Sequence, residues 1–524
     1  MSLPSKQAPK LFESLKKTRL WKLYRLDSNW SEHNDVTLFF DGDDTFMSMW
    51  DSIENAKHSI NMETYTIEPD SVGLRTIQLL TAAQRRGCKV KFVYDAIGSS
   101  SISDSHLQEL KDSGATLIKF NPFFSTSFPI MFRNHRKMIV VDEKIGYCGG
   151  MNISEKYAGK VLGTSYFRDT HVKIEGPVVK DLLDAFYSTK KDKQTLFSQQ
   201  RSHLIQSGTT RDQDDPSSSS SYSSNIPTST TTTSRASSSL ERGADSETAV
   251  AEAAAASEAG KAIMPSIDPQ SIIPDLGRPM DDSIRDKILY DRYHEYFSDF
   301  YNEEDNRDFD DEDDDDDYLQ DGEDAAHEFD ENKMKVEDVP IQVWESNLMR
   351  GKRNLQRGLS ILLKNCNKNC YLTSAYFMPP RLLRKAIIDT ASRGVEVKIL
   401  TAGISDVPWV RMAGQHIYRP FLEKGVKIYE MTGTRLHSKT ITIDGKYNTI
   451  GSYNLDHWSQ RNLEVCVSIT DERVAKYIER QFHEDLKQSE EITLEYLDNK
   501  SLFNKIYSFL AYQFGRIVRP TDIK

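Results

Sequence analysis

Two stretches of this chain repeat one another. "HRKMIVVDEKIGYCGGMN" at 135–152 and "HSKTITIDGKYNTIGSYN" at 437–454 place His135, Lys137, Asp142, Gly149 and Asn152 at a constant offset of 302 residues from His437, Lys439, Asp444, Gly451 and Asn454. Matches in register that include histidine point to an internal duplication. The flanking sequence keeps step. "HSINMETYTI", "GLRTIQLLTAAQRRG", "KVKFVYDAI", "SDSHLQELKDSG" and "ATLIKF" alternate strand and helix patterns before the first copy. "CYLTSAYFM", "RLLRKAIIDTASRG", "VEVKILTA", "YRPFLEKG" and "VKIYEM" do so before the second. Gly87 and Gly394, then Gly114 and Gly425, follow helices where a left-handed cap is needed. The chain is therefore expected to build two α/β lobes from one ancestral unit.

Composition separates the lobes. The lobes are read at 35–195 and 336–490, with an insert at 196–335 that runs from Ser/Thr-rich through Ala-rich to acidic sequence. Such a segment buries too little apolar surface to offset chain entropy and is expected to be mostly disordered, with "SIRDKILYDRYHEYFSDFY" as its one helical stretch. Between Glu303 and Glu331 lie 18 acidic residues and one arginine, so the rest of the chain carries about +5 although the whole carries −12. That suits an anionic substrate or surface and is too weak a charge to argue for nucleic acid.

Five cysteines, mostly in apolar strand-like segments, read as small buried hydrophobes in a reducing compartment. No run of about 18 apolar residues is present, so no membrane-spanning helix is expected, and no secretory signal peptide is read. The basic segment 1–34 has seven Lys or Arg in its first 25 residues, which fits a membrane surface, an organelle-targeting segment or a solvated tail. The C-terminal segment 491–524 is expected to form an amphipathic helix, with Phe503, Ile506, Leu510, Phe514 and Ile517 on one stripe beside Lys505, Arg516 and Arg519. It reads equally as an interfacial helix and as one packed on the body.

In a strand, residues i and i+2 share a face, so each repeat offers an imidazole beside an ammonium. Two lobes paired about a pseudo-twofold axis would bring together His135, Lys137, His437 and Lys439, with Asn152 and Asn454 as amide donors. Such a cluster can hold a phosphoryl oxyanion while one neutral imidazole attacks phosphorus and the other, protonated, donates to the leaving oxygen. This chemistry needs no metal or cofactor. Asp169 and Glu464 are the candidates to orient the imidazoles through the far nitrogen. Asp142 and Asp444, at strand ends, belong to the motif in a supporting, backbone-bracing role.

These residues resemble the phospholipase D superfamily, whose signature is HxKxxxxD followed by Gly-Ser-x-Asn, present twice. The second copy matches fully; the first has Gly150 where Ser452 stands in the second. Within the superfamily, "SAYFMPP", "RGVEVKIL", "GSYNLDHWSQRNLEV", "CGGMNISEKYAG" and "FRDTHVKIEGPVV" are most similar to bacterial-type cardiolipin synthases. The resemblance implies two phospholipase D-like lobes, each a mixed β-sheet flanked by helices, with the active site at the pseudo-twofold interface. It also implies phosphatidyl transfer through a phosphohistidine, with phosphatidylglycerol as substrate, His135 as nucleophile and His437 as general acid, or the reverse. Peripheral association with an intracellular membrane, mitochondrial or cytoplasmic-face, is expected. Three alternatives stay open: a hydrolase releasing phosphatidic acid, a nucleic-acid phosphodiesterase, and a non-catalytic lipid-binding scaffold.

Overall fold

In chain order the first lobe runs β1 (Ser31–Phe39), α1 (Gly42–Asn55), β2 (Ser59–Thr64), α2 (Ser71–Arg85), β3 (Lys89–Asp95), α3 (Asp104–Asp112), β4 (Thr116–Phe120), β5 (Met138–Val141), β6 (Ile145–Gly149), β7 (Phe167–Arg168) and β8 (His171–Glu175). The second runs β9 (Lys335–Asn347), β10 (Lys352–Arg353), α4 (Asn354–Lys364), β11 (Asn369–Ser374), α5 (Arg381–Ser392), β12 (Glu396–Ala402), α6 (Pro408–His416), α7 (Arg419–Leu422), β13 (Lys427–Met431), β14 (Arg435–Leu436), β15 (Lys439–Ile443), β16 (Tyr447–Gly451), β17 (Glu464–Thr470), α8 (Glu472–Leu486), β18 (Ser489–Ile492), α9 (Leu494–Asn499) and α10 (Leu502–Ile517). This computed structural model describes residues 30–122, 132–189, 334–347 and 352–517. The basic N-terminus to residue 29, the insert from 190 to 333 with its acidic run and its expected helix, and Arg519 lie outside the described residues.

One sheet spans both lobes. Its order is β18-β13-β12-β11-β15-β16-β17-β9-β1-β8-β6-β5-β2-β3-β4, with β10 beside β9. From the antiparallel β1–β9 seam the two halves read outward alike, β8-β6-β5-β2-β3-β4 matching β17-β16-β15-β11-β12-β13. In each half three strands are parallel and joined through helices, and the strands that lead back to the seam are antiparallel. The sheet is thus mixed, as the resemblance implies. Gly87, Gly114, Gly394 and Gly425 all have φ between 82° and 100°, which makes them the left-handed helix stops expected of both copies.

The seam carries an irregularity in its register. His33 and Asp338 bulge there with positive φ and meet at 2.9 Å, and Asn34 spans the irregularity by bonding Val339 O and Val178 N. Beneath it, Val36, Leu38, Val172 and Ile174 of one lobe pack with Val339, Ile341, Val465 and Val467 of the other in a shared core. Each lobe keeps a further core of its own around its parallel strands. The lobes are therefore held as one body by apolar burial. All five cysteines are buried and unpaired. The C-terminal segment is not one helix: β18 and α9 precede α10, which starts at Leu502.

Candidate active site

Each motif histidine precedes a strand near the middle of its half-sheet, and its backbone is pinned by the opposite lobe. His437 N donates to Arg168 O at 2.8 Å, next to the short parallel pair β7–β14. His135 N donates to Leu463 O at 3.0 Å, and Leu463 N returns a bond to Arg133 O at 2.9 Å. The side chains cross the interface too. His135 Nδ1 lies 3.1 Å from Glu464 Oε2 of the second lobe, and His437 Nδ1 lies 2.6 Å from Asp169 Oδ2 of the first. Each imidazole thus meets, at Nδ1, a carboxylate that its own lobe does not supply.

The lysines fold back along their own loops. Lys137 Nζ donates to His135 O at 2.8 Å, and Lys439 Nζ donates to His437 O while lying 2.8 Å from His437 Nδ1. Both are almost wholly buried. Burial pushes both ammonium groups below their ordinary values; for Lys137, Glu464 opposes the shift and Lys439 adds to it. That mutual influence places the two lysines in one electrostatic cluster with both carboxylates. Burial and then Lys137 and Lys439 hold His135 well below its ordinary range, and burial and Lys439 lower His437 to about 4. Both imidazoles are consequently neutral at physiological pH in the absence of substrate.

The two carboxylates differ. Burial acts to raise Asp169, but Lys439 and His437 outweigh it and hold the carboxyl below its usual range. Burial pushes Glu464 up to about 8, with Lys137 and the Ser452 hydroxyl opposing. Ser452 Oγ donates to Glu464 Oε2 at 2.5 Å. On the other side a β-carbon at position 150 would lie 2.1 Å from Asp169 Oδ1. The Gly150 departure thus has a structural cause: the shorter acid sits closer to the strand, where a serine side chain does not fit.

The remaining expected residues divide. Asn152 Oδ1 accepts from Thr66 N and its Nδ2 donates one N–H to Tyr157 OH at 2.7 Å, so this amide also positions a tyrosine beside the site. Asn454 is buried, with Oδ1 unpartnered among the described residues. Asp142 and Asp444 lie at the far strand ends and do not join the cluster. Asp142 accepts the backbone N–H groups of Lys57, His58 and Ser59, and Asp444 those of Asn367 and Lys368. Their carboxylates are committed to strand-end amides, which is bracing work and not chemistry at the cluster.

Aromatic residues that spacing does not single out complete the wall. The Tyr65 ring is 5.0 Å from that of His135, and Tyr157 and Phe167 are 5.1 and 5.3 Å from that of His437. Tyr376 OH donates to Asp406 at 2.7 Å, and Asp406 is close enough to act on both His437 and Lys439. Buried Asp456, which burial pushes up to about 7, accepts from Ser459 N at 2.6 Å. Among the described residues no group of three or more His, Cys, Asp or Glu is arranged to hold a metal ion.

The family model described as "Cardiolipin synthase, PLD-like domain" matches residues 49–186 and 359–486, one segment in each lobe. The chain is 24% identical over 502 residues to a cardiolipin synthase of Clostridium perfringens strain 13, covering 94% of this chain and 78% of the relative. It is 26% identical over 466 residues to a cardiolipin synthase of Geobacillus sp. strain WCH70, covering 88% and 68%. The crystal structure of phosphatidylserine synthase from Haemophilus influenzae Rd KW20 superposes with a TM-score of 0.52 at 12% identity, covering 92% of this chain and 93% of that one, a likeness of fold.

Proposed function

We propose that this chain, which belongs to the cardiolipin synthase family of phospholipase D-like domains, transfers a phosphatidyl group from phosphatidylglycerol to the headgroup hydroxyl of a second phospholipid through a phosphohistidine. It is a phosphatidyltransferase of the cardiolipin synthase type. In the first step Nε2 of one histidine attacks phosphorus and the bond from phosphorus to the glycerol oxygen breaks, the departing oxygen taking a proton from the other imidazolium. In the second step that imidazole removes the acceptor hydroxyl's proton. The hydroxyl oxygen then attacks phosphorus and the P–N bond breaks, giving cardiolipin and regenerating the enzyme. Lys137, Lys439, Asn152 and Asn454 stabilise the charge on the phosphoryl oxygens.

The observation that carries this reading is the crossed pair of histidine–carboxylate contacts around two buried lysines. By resemblance His135 attacks and His437 donates. The shorter contact of His437 with an ionised Asp169 favours the reverse order. Bound phosphodiester charge supplies what the donor imidazole lacks in the free site, by raising its proton affinity. Among the described residues no helix is long and apolar enough to cross a membrane, and peripheral attachment is part of the proposal.

The test is incubation of the purified chain with phosphatidylglycerol vesicles and EDTA, with products resolved by mass spectrometry beside His437→Ala. Cardiolipin and glycerol, lost in the variant, are expected. Phosphatidic acid alone would replace transfer by hydrolysis, and no product from any phospholipid would overturn the reading.

A further inference from the structure

Helix α10 is built inside out. Its small residues Ser508, Ala511 and Gly515 face the body, whereas Leu502, Phe503, Ile506, Phe509 and Leu510 are left exposed. Gly515 lets the helix approach so closely that a β-carbon there would lie 3.0 Å from Met378. Leu502, Phe503, Ile506, Phe509 and Leu510 are 74, 67, 49, 44 and 57% exposed. At spacings of three, four and seven they form one stripe. Of the residues expected on that stripe, Phe514 turns inward to stack edge-on with Trp409 at 5.4 Å. A monomer in water gains nothing by exposing five large apolar side chains in three turns, so the stripe marks a contact surface.

We infer that this stripe of α10 seats the protein on the surface of an anionic phospholipid bilayer and sets the candidate active site next to its substrate. The inference rests on the phosphatidyltransferase reading. Three observations select lipid as the occupant. First, α10 is continuous with the site: Phe514 meets Trp409 of α6, Trp409 meets Trp458 at 5.3 Å, and Trp458 adjoins Ser459, which hydrogen-bonds the backbone of Asn454. Second, the sequence of α10 contains Lys505 and Arg516 and no acid, and Lys505 is exposed beside the stripe, which complements a phosphatidylglycerol surface. Third, both substrates of the transfer reside in a bilayer, so the site has to be brought to one.

The test is co-sedimentation of the full chain with vesicles of equal parts phosphatidylglycerol and phosphatidylcholine. The variants are Phe503→Ser/Ile506→Ser/Leu510→Ser, with thermal unfolding as a check on the fold, and Lys505→Glu. The triple variant is expected to bind roughly 100-fold more weakly, on the scale of three half-exposed apolar side chains. Lys505→Glu is expected to weaken binding to these vesicles and not to pure phosphatidylcholine. Unchanged vesicle binding by a folded triple variant overturns the inference. So does a triple variant whose only change is dissociation of a dimer, which would assign the surface to a second copy. Transfer from short-chain phosphatidylglycerol below its micellar concentration separates the two readings. Turnover without vesicle binding by the parent chain defeats only the docking, and docking without turnover defeats only the function.

Discussion

Asp169 of the first lobe holds His437 of the second, Oδ2 to Nδ1 at 2.6 Å, and the relation is mirrored by Glu464 and His135 at 3.1 Å. The two are unequal, since Asp169 is held in its ionised form and Glu464 is pushed up to about 8. Asp169→Asn removes the anion that fixes the tautomer of His437, and kcat is expected to fall about 100-fold to 10,000-fold. Glu464→Gln replaces a group that is largely protonated at neutral pH and is expected to cost about 10-fold. Steady-state kinetics of both variants decide this; equal losses would contradict the asymmetry.

Gly150→Ser brings a β-carbon into the space of the Asp169 carboxylate, 2.1 Å away in the present geometry. The carboxylate has to move off His437. Activity is expected to drop at least about 10-fold, with overpacking costing about 1–3 kcal/mol of stability in denaturant titration. A variant as active and as stable as the parent would show that the Asp169 position is unimportant.

Asp142→Ala removes the acceptor of three backbone N–H groups far from the cluster. About 1–3 kcal/mol of stability is expected to go. The kcat of the folded enzyme should hold, and a large fall in kcat at unchanged stability would return this aspartate to the chemistry.

The buried groups also fix a pH profile of stability. His437 is lowered from 6.5 to about 4, so between those values the unfolded chain binds a proton that the folded one refuses. Its contribution is full above about 6.5 and is lost as pH falls toward 4. Glu464 is raised from 4.5 to about 8, so its contribution is full below about 4.5 and is lost as pH rises through 8. Denaturant midpoints measured against pH should therefore pass through a maximum between these limits. Glu464→Gln is expected to flatten the alkaline limb and His437→Asn the acid limb.

Much of this was legible because it is local. Strand and helix periods, the glycine stops and the repeated His-x-Lys spacing are written into short stretches, and they predict two α/β lobes; the mixed sheet is what the family resemblance implies. Asp169 and Glu464 were legible as acceptors from their place after each asparagine. Their exchange between lobes was not, because it depends on β7 meeting β14 and on Leu463 meeting Arg133, contacts with no sequence pattern. Tyr65, Tyr376 and Asp406 reach the site from loops and strand ends by topology alone. Tyr157 carried a faint signal, standing five residues after Asn152. The Gly150–Ser452 difference was visible as a missing hydroxyl; its link to Asp169 against Glu464 required the geometry.

On the proposed mechanism a phosphatidyl group rests on a histidine between the two steps. The direct measurement is rapid quenching of the enzyme with phosphatidylglycerol under alkaline conditions, which preserve a phosphorus–nitrogen bond, followed by peptide mass spectrometry. A phosphatidyl adduct on the peptide of His135 or of His437, formed and consumed at the turnover rate, is the expected result, and its position identifies the nucleophile. Turnover with no adduct on either peptide, and with inversion at phosphorus, would show a single displacement and contradict the account.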